Sequence, residues 1–290
     1  MERKNKMSHK KSLQELTFKD NFMFGAVLLD PENCKGILER TIGTKIERVE
    51  VSKEKSIVYN PEYKGIRLDA YAKDENQTRY NVEMQVLQKP ALQKRTRYYH
   101  GQIDMEILLT GVGYEELPDT YVIFICDFDP FCKGKYRYTK QTICKEVPEL
   151  EMDDGAHTIF LSTKGTNEEE VPEELVKFLK FVGAKPSDSE KDFEDAFIRR
   201  LQESIREVKA SREMGARYMT FQELLKDERA AGKAEGKAEE VLEFLREVGT
   251  VSNDLKMCIM AEKDLERLKK WVKLAARSVS VQEFVNKMNE

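Results

Sequence analysis

The apolar positions along this chain change period several times, and each change marks an element. Phe18, Phe22, Phe24, Val27, Leu28 and Leu29 crowd residues 17–29, which predicts a buried helix. Asp30-Pro31-Glu32 interrupts it and sets proline at the first turn of a second helix reaching about Thr41. Lys45 to Tyr59 predicts one or two short strands. Ile66–Lys73 and Arg79–Leu87 then alternate on either side of the polar stretch Asp74-Glu75-Asn76-Gln77-Thr78, the pattern of a hairpin. Pro90 opens a long helix that ends near Gly111-Val112-Gly113. Tyr121–Phe128 is a dense apolar run, expected of a central strand buried on both faces. His157–Ser162 predicts a further strand and Val171–Val182 a further helix.

After Gly183-Ala184-Lys185-Pro186-Ser187 the apolar runs give way to Glu, Lys, Arg and Ala. Asp192–Phe244 reads as helix with a break near Met214-Gly215, and contains the repeat Gly232-Lys233-Ala234-Glu235, Gly236-Lys237-Ala238-Glu239. Two glycines there cost roughly 1 kcal/mol each against alanine, so the expectation is a soft, solvated connector. Leu265, Leu268, Trp271 and Leu274 share one face of a small terminal helical unit. The chain therefore divides into a basic, disordered leader (1–12), one packed domain (13–185) and a charged helical extension (186–290).

Composition sharpens this division. Charged residues make up 35% of the 290 positions but the net charge is only −4, so any nucleic acid must be met by local basic patches. Cys34, Cys126, Cys132, Cys144 and Cys258 form no CxxC pair or zinc spacing, which favours reduced thiols and a cytoplasmic location. No stretch approaches the roughly 20 apolar residues of a membrane span. His9, His100 and His157 pair with no cysteine or carboxylate at catalytic spacing. Walker A, Rossmann and GxSxG patterns are absent, so no nucleotide cofactor is expected.

The hairpin carries the candidate chemistry. Strand alternation puts Leu68, Ala70, Ala72, Val82, Met84 and Val86 on the core face, and Asp69, Tyr71, Glu83 and Gln85 on the other. A loop centred on Asn76 sets Asp69 directly opposite Glu83, with Cβ atoms about 4.5–5.5 Å apart. Two like charges so placed destabilise a sheet unless a shared proton or a bound cation offsets them. A hard oxygen site of this kind suits Mg²⁺ or Mn²⁺ and metal-assisted phosphodiester hydrolysis. The competing reading is an exposed hairpin that carries acids for solubility.

Gly65-Ile66-Arg67-Leu68-Asp69, a turn, then Asn81-Val82-Glu83-Met84-Gln85 resembles the PD-(D/E)XK nuclease superfamily, and more narrowly the Rpn family of recombination-promoting nucleases, also described as transposases. Asp20-Asn21-Phe22-Met23-Phe24, Arg97-Tyr98-Tyr99, Asp127-Phe128-Asp129-Pro130 and the Gly-Lys-Ala-Glu repeats are similar to further stretches of that family. The resemblance implies an α/β fold of restriction-endonuclease type, a mixed sheet flanked by helices. It implies Asp69 and Glu83 as metal ligands, the Met84 backbone carbonyl as another, and Gln85 where the superfamily usually has lysine. Glutamine can position a water but brings no charge, which leaves Lys89, Arg95 and Arg97 as candidate cations. Asp20 is either a third metal ligand or the N-cap of the helix after it.

Lys89, Lys94, Arg95, Arg97 and Tyr98 on the helix after Gln85, and Lys135 and Arg137 in a second basic and aromatic stretch, are the candidate DNA contacts. The leading expectation is a Mg²⁺-dependent DNA endonuclease linked to recombination or mobile elements. A DNA-binding module without catalysis, a defence or toxin-type nuclease, and a tail-driven homo-oligomer are the alternatives.

Overall fold

The computed structural model describes residues 11–52, 55–57, 66–150 and 152–288. Most of the leader lies outside these residues. The strands are β1 Val49–Ser52, β2 Lys55–Ile57, β3 Ile66–Leu68, β4 Ala70–Asp74, β5 Arg79–Gln85, β6 Thr120–Cys126, β7 Arg137–Lys140 and β8 Ala156–Ser162. The helices are α1 Asn21–Leu28, α2 Pro31–Ile42, α3 Leu92–Ile107, α4 Glu173–Gly183, α5 Ala196–Ala210, α6 Arg212–Val248, α7 Asn253–Ala261, α8 Leu265–Ala275 and α9 Val281–Lys287. Two compact units result, Met1–Gly215 and Ala216–Glu290.

Six strands of the first unit form a mixed sheet in the order β1-β4-β5-β6-β8-β7, and β2 pairs with β3 beside it. The β4–β5 hairpin is antiparallel with Ala70 opposite Val82 and Lys73 opposite Arg79, the register expected from the loop. Asp74 fixes that loop by accepting from the Asn76 and Thr78 N–H groups at 2.9 and 3.0 Å and from the Tyr80 hydroxyl at 2.7 Å. Strands β5, β6 and β8 run parallel, so the β5–β6 link must cross over, and α3 makes that crossing. Val122–Cys126 of β6 are fully buried, as a central strand covered on both faces requires.

Helix α3 covers one face, where Tyr99 and Ile103 meet Tyr71, Val122, Phe124 and Phe160. On the opposite face Ala70, Ala72, Val82, Met84, Ile123, Ile125, Ile159 and Leu161 are also buried. Phe18 joins the layers outside the sheet, with ring centroids 5.4 Å from Phe24 of α1 and 6.1 Å from Phe178 of α4.

Four expectations are corrected. Residues 66–73 are not one strand; Asp69 interrupts them, so Leu68 and Tyr71, three apart, enter the same core cluster. The strand ends at Gln85, and Val86 is 43% exposed rather than core. Pro90 does not open α3, which starts at Leu92 after Ala91 takes a left-handed conformation with φ of 60°. Finally, the break in the long helical stretch falls at Ser211, which is extended and accepts from the Met214 N–H through its hydroxyl. Gly215 lies inside α6.

Helix α5 belongs to the first unit although it lies past the composition change at 185. Asn33 donates to Ser204 and accepts from Arg200, both at 2.9 Å, and Arg40 pairs with Asp195 at 3.2 Å. Gly36 is needed here, because a Cβ on it would lie 2.1 Å from the Phe197 ring. The second unit has its own core, in which Ala234 and Ala238 pack with Leu242, Ile259, Leu268, Trp271 and Phe284. The alanines of the Gly-Lys-Ala-Glu repeat are thus its buried face, while the glycines look into open space. Among the described residues no helix is long and apolar enough to cross a membrane.

Candidate active site

The interruption at Asp69 and the register of β5 bring two carboxylates into reciprocal contact. The Asp69 N–H donates to Glu83 Oε1 at 3.2 Å, and the Met84 N–H donates to Asp69 Oδ2 at 3.2 Å. The facing pair expected from the hairpin is therefore present, but it is not exposed. Glu83 is 2% and Gln85 6% accessible because α3 lies over that face. The solubility reading of these acids fails on that burial.

Arg95, from the first turn of α3, closes the cluster. Its Nη2 donates to Glu83 Oε2 at 2.7 Å, its Nη1 to Gln85 Oε1 at 2.7 Å and its Nε to the Tyr99 hydroxyl at 2.9 Å. The guanidinium also lies 5.1 Å from the Tyr99 ring and 5.0 Å from the Phe124 ring, within cation–π range. Gln85 Nε2 donates to the Leu87 carbonyl at 2.9 Å, so its amide orientation is set at both ends. Of the three candidate cations, Arg95 alone turns inward; Lys89 and Arg97 are exposed.

The electrostatics record the cost of this arrangement. Burial, and then the neighbouring Asp69 charge, push Glu83 up to about 8, although Arg95 pulls it back. One negative charge is easier to hold here than two. Asn81, two residues upstream on the same face, is fully buried; neither amide atom has a partner at good hydrogen-bond geometry, although it lies near enough to Glu83 to help hold that carboxyl down. A like-charge pair beside an orphaned amide is a pocket that folding alone leaves incomplete. Those donors fit a Mg²⁺ or Mn²⁺ ion, which needs only one or two carboxylates and retains waters that Asn81 can bond.

Asp20 stands at the N-cap position of α1 yet makes no cap bond. Its carboxylate accepts from the Thr17 N–H at 2.7 Å, the Thr17 hydroxyl at 3.0 Å and Lys11 Nζ at 2.7 Å. Among the described residues no three His, Cys, Asp or Glu side chains gather as a metal cage. Lys94 is exposed on α3, and Tyr98 packs against the α3 core cluster. Lys135 pairs with Glu170 at 2.6 Å, and Arg137 donates to Thr139 on β7. Strand β7 lies three positions from β5, roughly 14 Å, so these two residues are not gathered with the carboxylates.

A second charged group was not singled out as a site from sequence. Asp127 follows β6 directly, and its N–H donates to the Gln85 carbonyl at 3.0 Å. Its carboxylate accepts from Lys19 at 2.7 Å, Lys164 at 3.0 Å and the Thr163 hydroxyl at 2.8 Å. Burial pushes Asp127 up, but these hydrogen bonds outweigh it and hold the group below the usual carboxylate range. The available signal was positional: an acid just past the carboxyl end of a central parallel strand, where α/β sheets bind ligands.

A family model described as PD-(D/E)XK nuclease family transposase matches residues 22–235, a span that contains Asp69, Glu83, Gln85, Arg95 and Asp127. The chain belongs to this family. Its function is accordingly nuclease-like and linked to transposition, with DNA the substrate the family implies. PD-(D/E)XK nucleases generally use divalent metal ions. The six-stranded mixed sheet between helices is consistent with the restriction-endonuclease-like fold. No curated protein and no solved structure matches the chain.

Proposed function

We propose that this protein is a Mg²⁺- or Mn²⁺-dependent endonuclease that hydrolyses phosphodiester bonds in DNA, in the manner of the recombination-promoting Rpn nucleases, and acts in the cytoplasm. One observation carries the reading: half-buried Asp69 lies against buried Glu83, with the Asp69 N–H on Glu83 Oε1 and the Met84 N–H on Asp69 Oδ2, and a divalent cation would relieve the repulsion of the two acids. Asp69 and Glu83 would hold the ion, with the Met84 carbonyl as a further ligand. A bound divalent ion supplies an activated water and charge stabilisation at the phosphorus.

The remaining groups orient and neutralise. Gln85, held at both ends of its amide, positions the attacking water. The charge that glutamine does not bring stands beside it on Arg95, which favours catalysis over a DNA-binding module without it. Lys19 and Lys164, both paired with Asp127 at the end of β6, with the exposed Lys89, Lys94 and Arg97, would receive backbone phosphates on either side of the cut.

The test is nicking of supercoiled plasmid with Mg²⁺ or Mn²⁺, with and without chelator. Wild type should nick only with metal and Asp69→Ala should not nick at all. Equal behaviour of the two proteins would show the enzyme reading to be wrong.

A further inference from the structure

Arg95 occupies the position a metal would have to share. Both Glu83 oxygens are engaged: Oε1 accepts from the Asp69 N–H and Oε2 from Arg95 Nη2. A divalent ion bound through Oε2 would face the guanidinium across a single oxygen in a poorly solvated pocket, where like charges repel strongly. The guanidinium has somewhere else to go. It retains anchors on Gln85 and Tyr99, rests against the Tyr99 and Phe124 rings, and is 29% accessible, so it reaches the open side of the site.

We propose that Arg95 is an exchangeable cation: it hydrogen-bonds Glu83 in the metal-free protein and moves, as the ion binds, onto the non-bridging oxygens of the phosphodiester being cut. The inference rests on the metal-nuclease reading and adds to it a catalytic residue and an order of events. Charge balance argues for the exchange. Once Glu83 is ionised, Asp69, Glu83 and Arg95 with a divalent ion carry one net positive charge, which an incoming phosphodiester then cancels. A planar guanidinium matches both partners, since it bonds carboxylate and phosphate oxygens with the same pair of donors. The geometry also explains how a glutamine can stand in the lysine position. The cation of the motif is supplied from α3, ten residues further along the chain.

The exchange predicts opposite effects on binding and chemistry from one substitution. Mn²⁺ titration of the full chain, followed by electron paramagnetic resonance of the free ion, should show Arg95→Ala binding Mn²⁺ about 10-fold more tightly than wild type, because the competing cation is gone. Single-turnover DNA cleavage by the same variant should fall about 10²- to 10³-fold at saturating Mn²⁺. Arg95→Lys guards against misfolding of the alanine variant. Its compact ammonium cannot bridge Glu83 and Gln85 together, so both quantities should move in the same directions by smaller factors. Weaker Mn²⁺ binding in either variant, or cleavage that stays at the wild-type rate, would overturn the exchange while leaving the nuclease reading intact. Failure of wild type to bind Mn²⁺, or equal binding by Asp69→Ala, would instead remove the metal reading and the exchange with it.

Discussion

Helix α3 delivers two polar side chains, a half-buried arginine and a buried histidine, to the same sheet, and the fold treats them in opposite ways. At the carboxyl ends of the parallel strands, Arg95 pairs with Glu83, which lies against a second acid, Asp69, and shares its face of the sheet with the buried Asn81 amide. Five residues on, His100 sits between the Thr120 and Thr158 hydroxyls, 2.8 Å from Nδ1 and 3.0 Å from Nε2. Burial pulls His100 down to about 4, so the ring is neutral, donates through one nitrogen and accepts through the other. The histidine end is complete without a ligand, whereas the carboxylate end is not. Burying polar groups is common to both. A mismatch of charge left standing is what separates a site from a structural network.

The comparison breaks most easily by removing a charge from the mismatched end. Asp69→Asn or Glu83→Gln should reduce single-turnover cleavage by about 10³-fold or more. The same substitutions should hold or raise the melting temperature of the metal-free protein, since each removes one of two like charges. A large loss of stability would mean that the pair serves the fold.

His100→Leu should do the reverse. It strands two buried hydroxyls and should cost about 2–4 kcal/mol in denaturant unfolding. The cleavage rate per folded molecule should change little. A specific loss of cleavage with unchanged stability would erase the distinction between the two ends.

Acidity separates the ends by sign. Glu83 is raised from 4.5 to about 8 on folding, so between those values the folded state holds more protons than the unfolded state. Its contribution to the metal-free protein is therefore present below about pH 4.5 and is lost as pH rises toward 8. His100 is lowered from 6.5 to about 4, so its contribution is present above about pH 6.5 and is lost as pH falls toward 4. The two slopes oppose each other and largely cancel between about pH 4.5 and 6.5, so the wild-type midpoint should fall mainly above about pH 6.5, while Glu83→Gln should leave only the acid slope and His100→Leu only the alkaline one. Mn²⁺ affinity should climb with pH over the Glu83 window, because the ion displaces a proton. A flat stability profile in both variants would contradict the assignment.

The smallest effect belongs to the strand ends. Lys19→Ala and Lys164→Ala should each lower the slope of log affinity against log salt by about 1, the value for one duplex phosphate contact. Anisotropy of labelled DNA in Ca²⁺ measures it, and an unchanged slope would remove these lysines from the DNA surface.

Much of this was legible in the chain. The five-residue polar loop was enough for the hairpin register, and that register was enough to face Asp69 with Glu83. The unbroken apolar run of β6 announced a strand covered on both sides. Alternation misled about Glu83 and Gln85, because a polar face signals solvent only if no helix lies over it, and α3 does. The apolar face departs from alternation at Leu68, which the interruption at Asp69 turns to the α3 side with Tyr71, and at Val86, because a strand's end is a matter of pairing rather than of polarity. Helix α5 looked like part of the tail by composition and joins the first unit through Asn33, Arg40 and the space left by Gly36.

By itself the sequence determined most elements, the hairpin register and the facing of the two acids, since these follow from local periods of two and 3.6 and from turn chemistry within a few residues. Only the tertiary structure decided which of Lys89, Arg95 and Arg97 turns toward the acids, because the rotational phase of α3 over the sheet depends on how Leu92, Tyr99 and Ile103 pack beneath it. The same packing removed water from Glu83, and desolvation is what makes one arginine, among the basic residues of that helix, the partner on which the site turns.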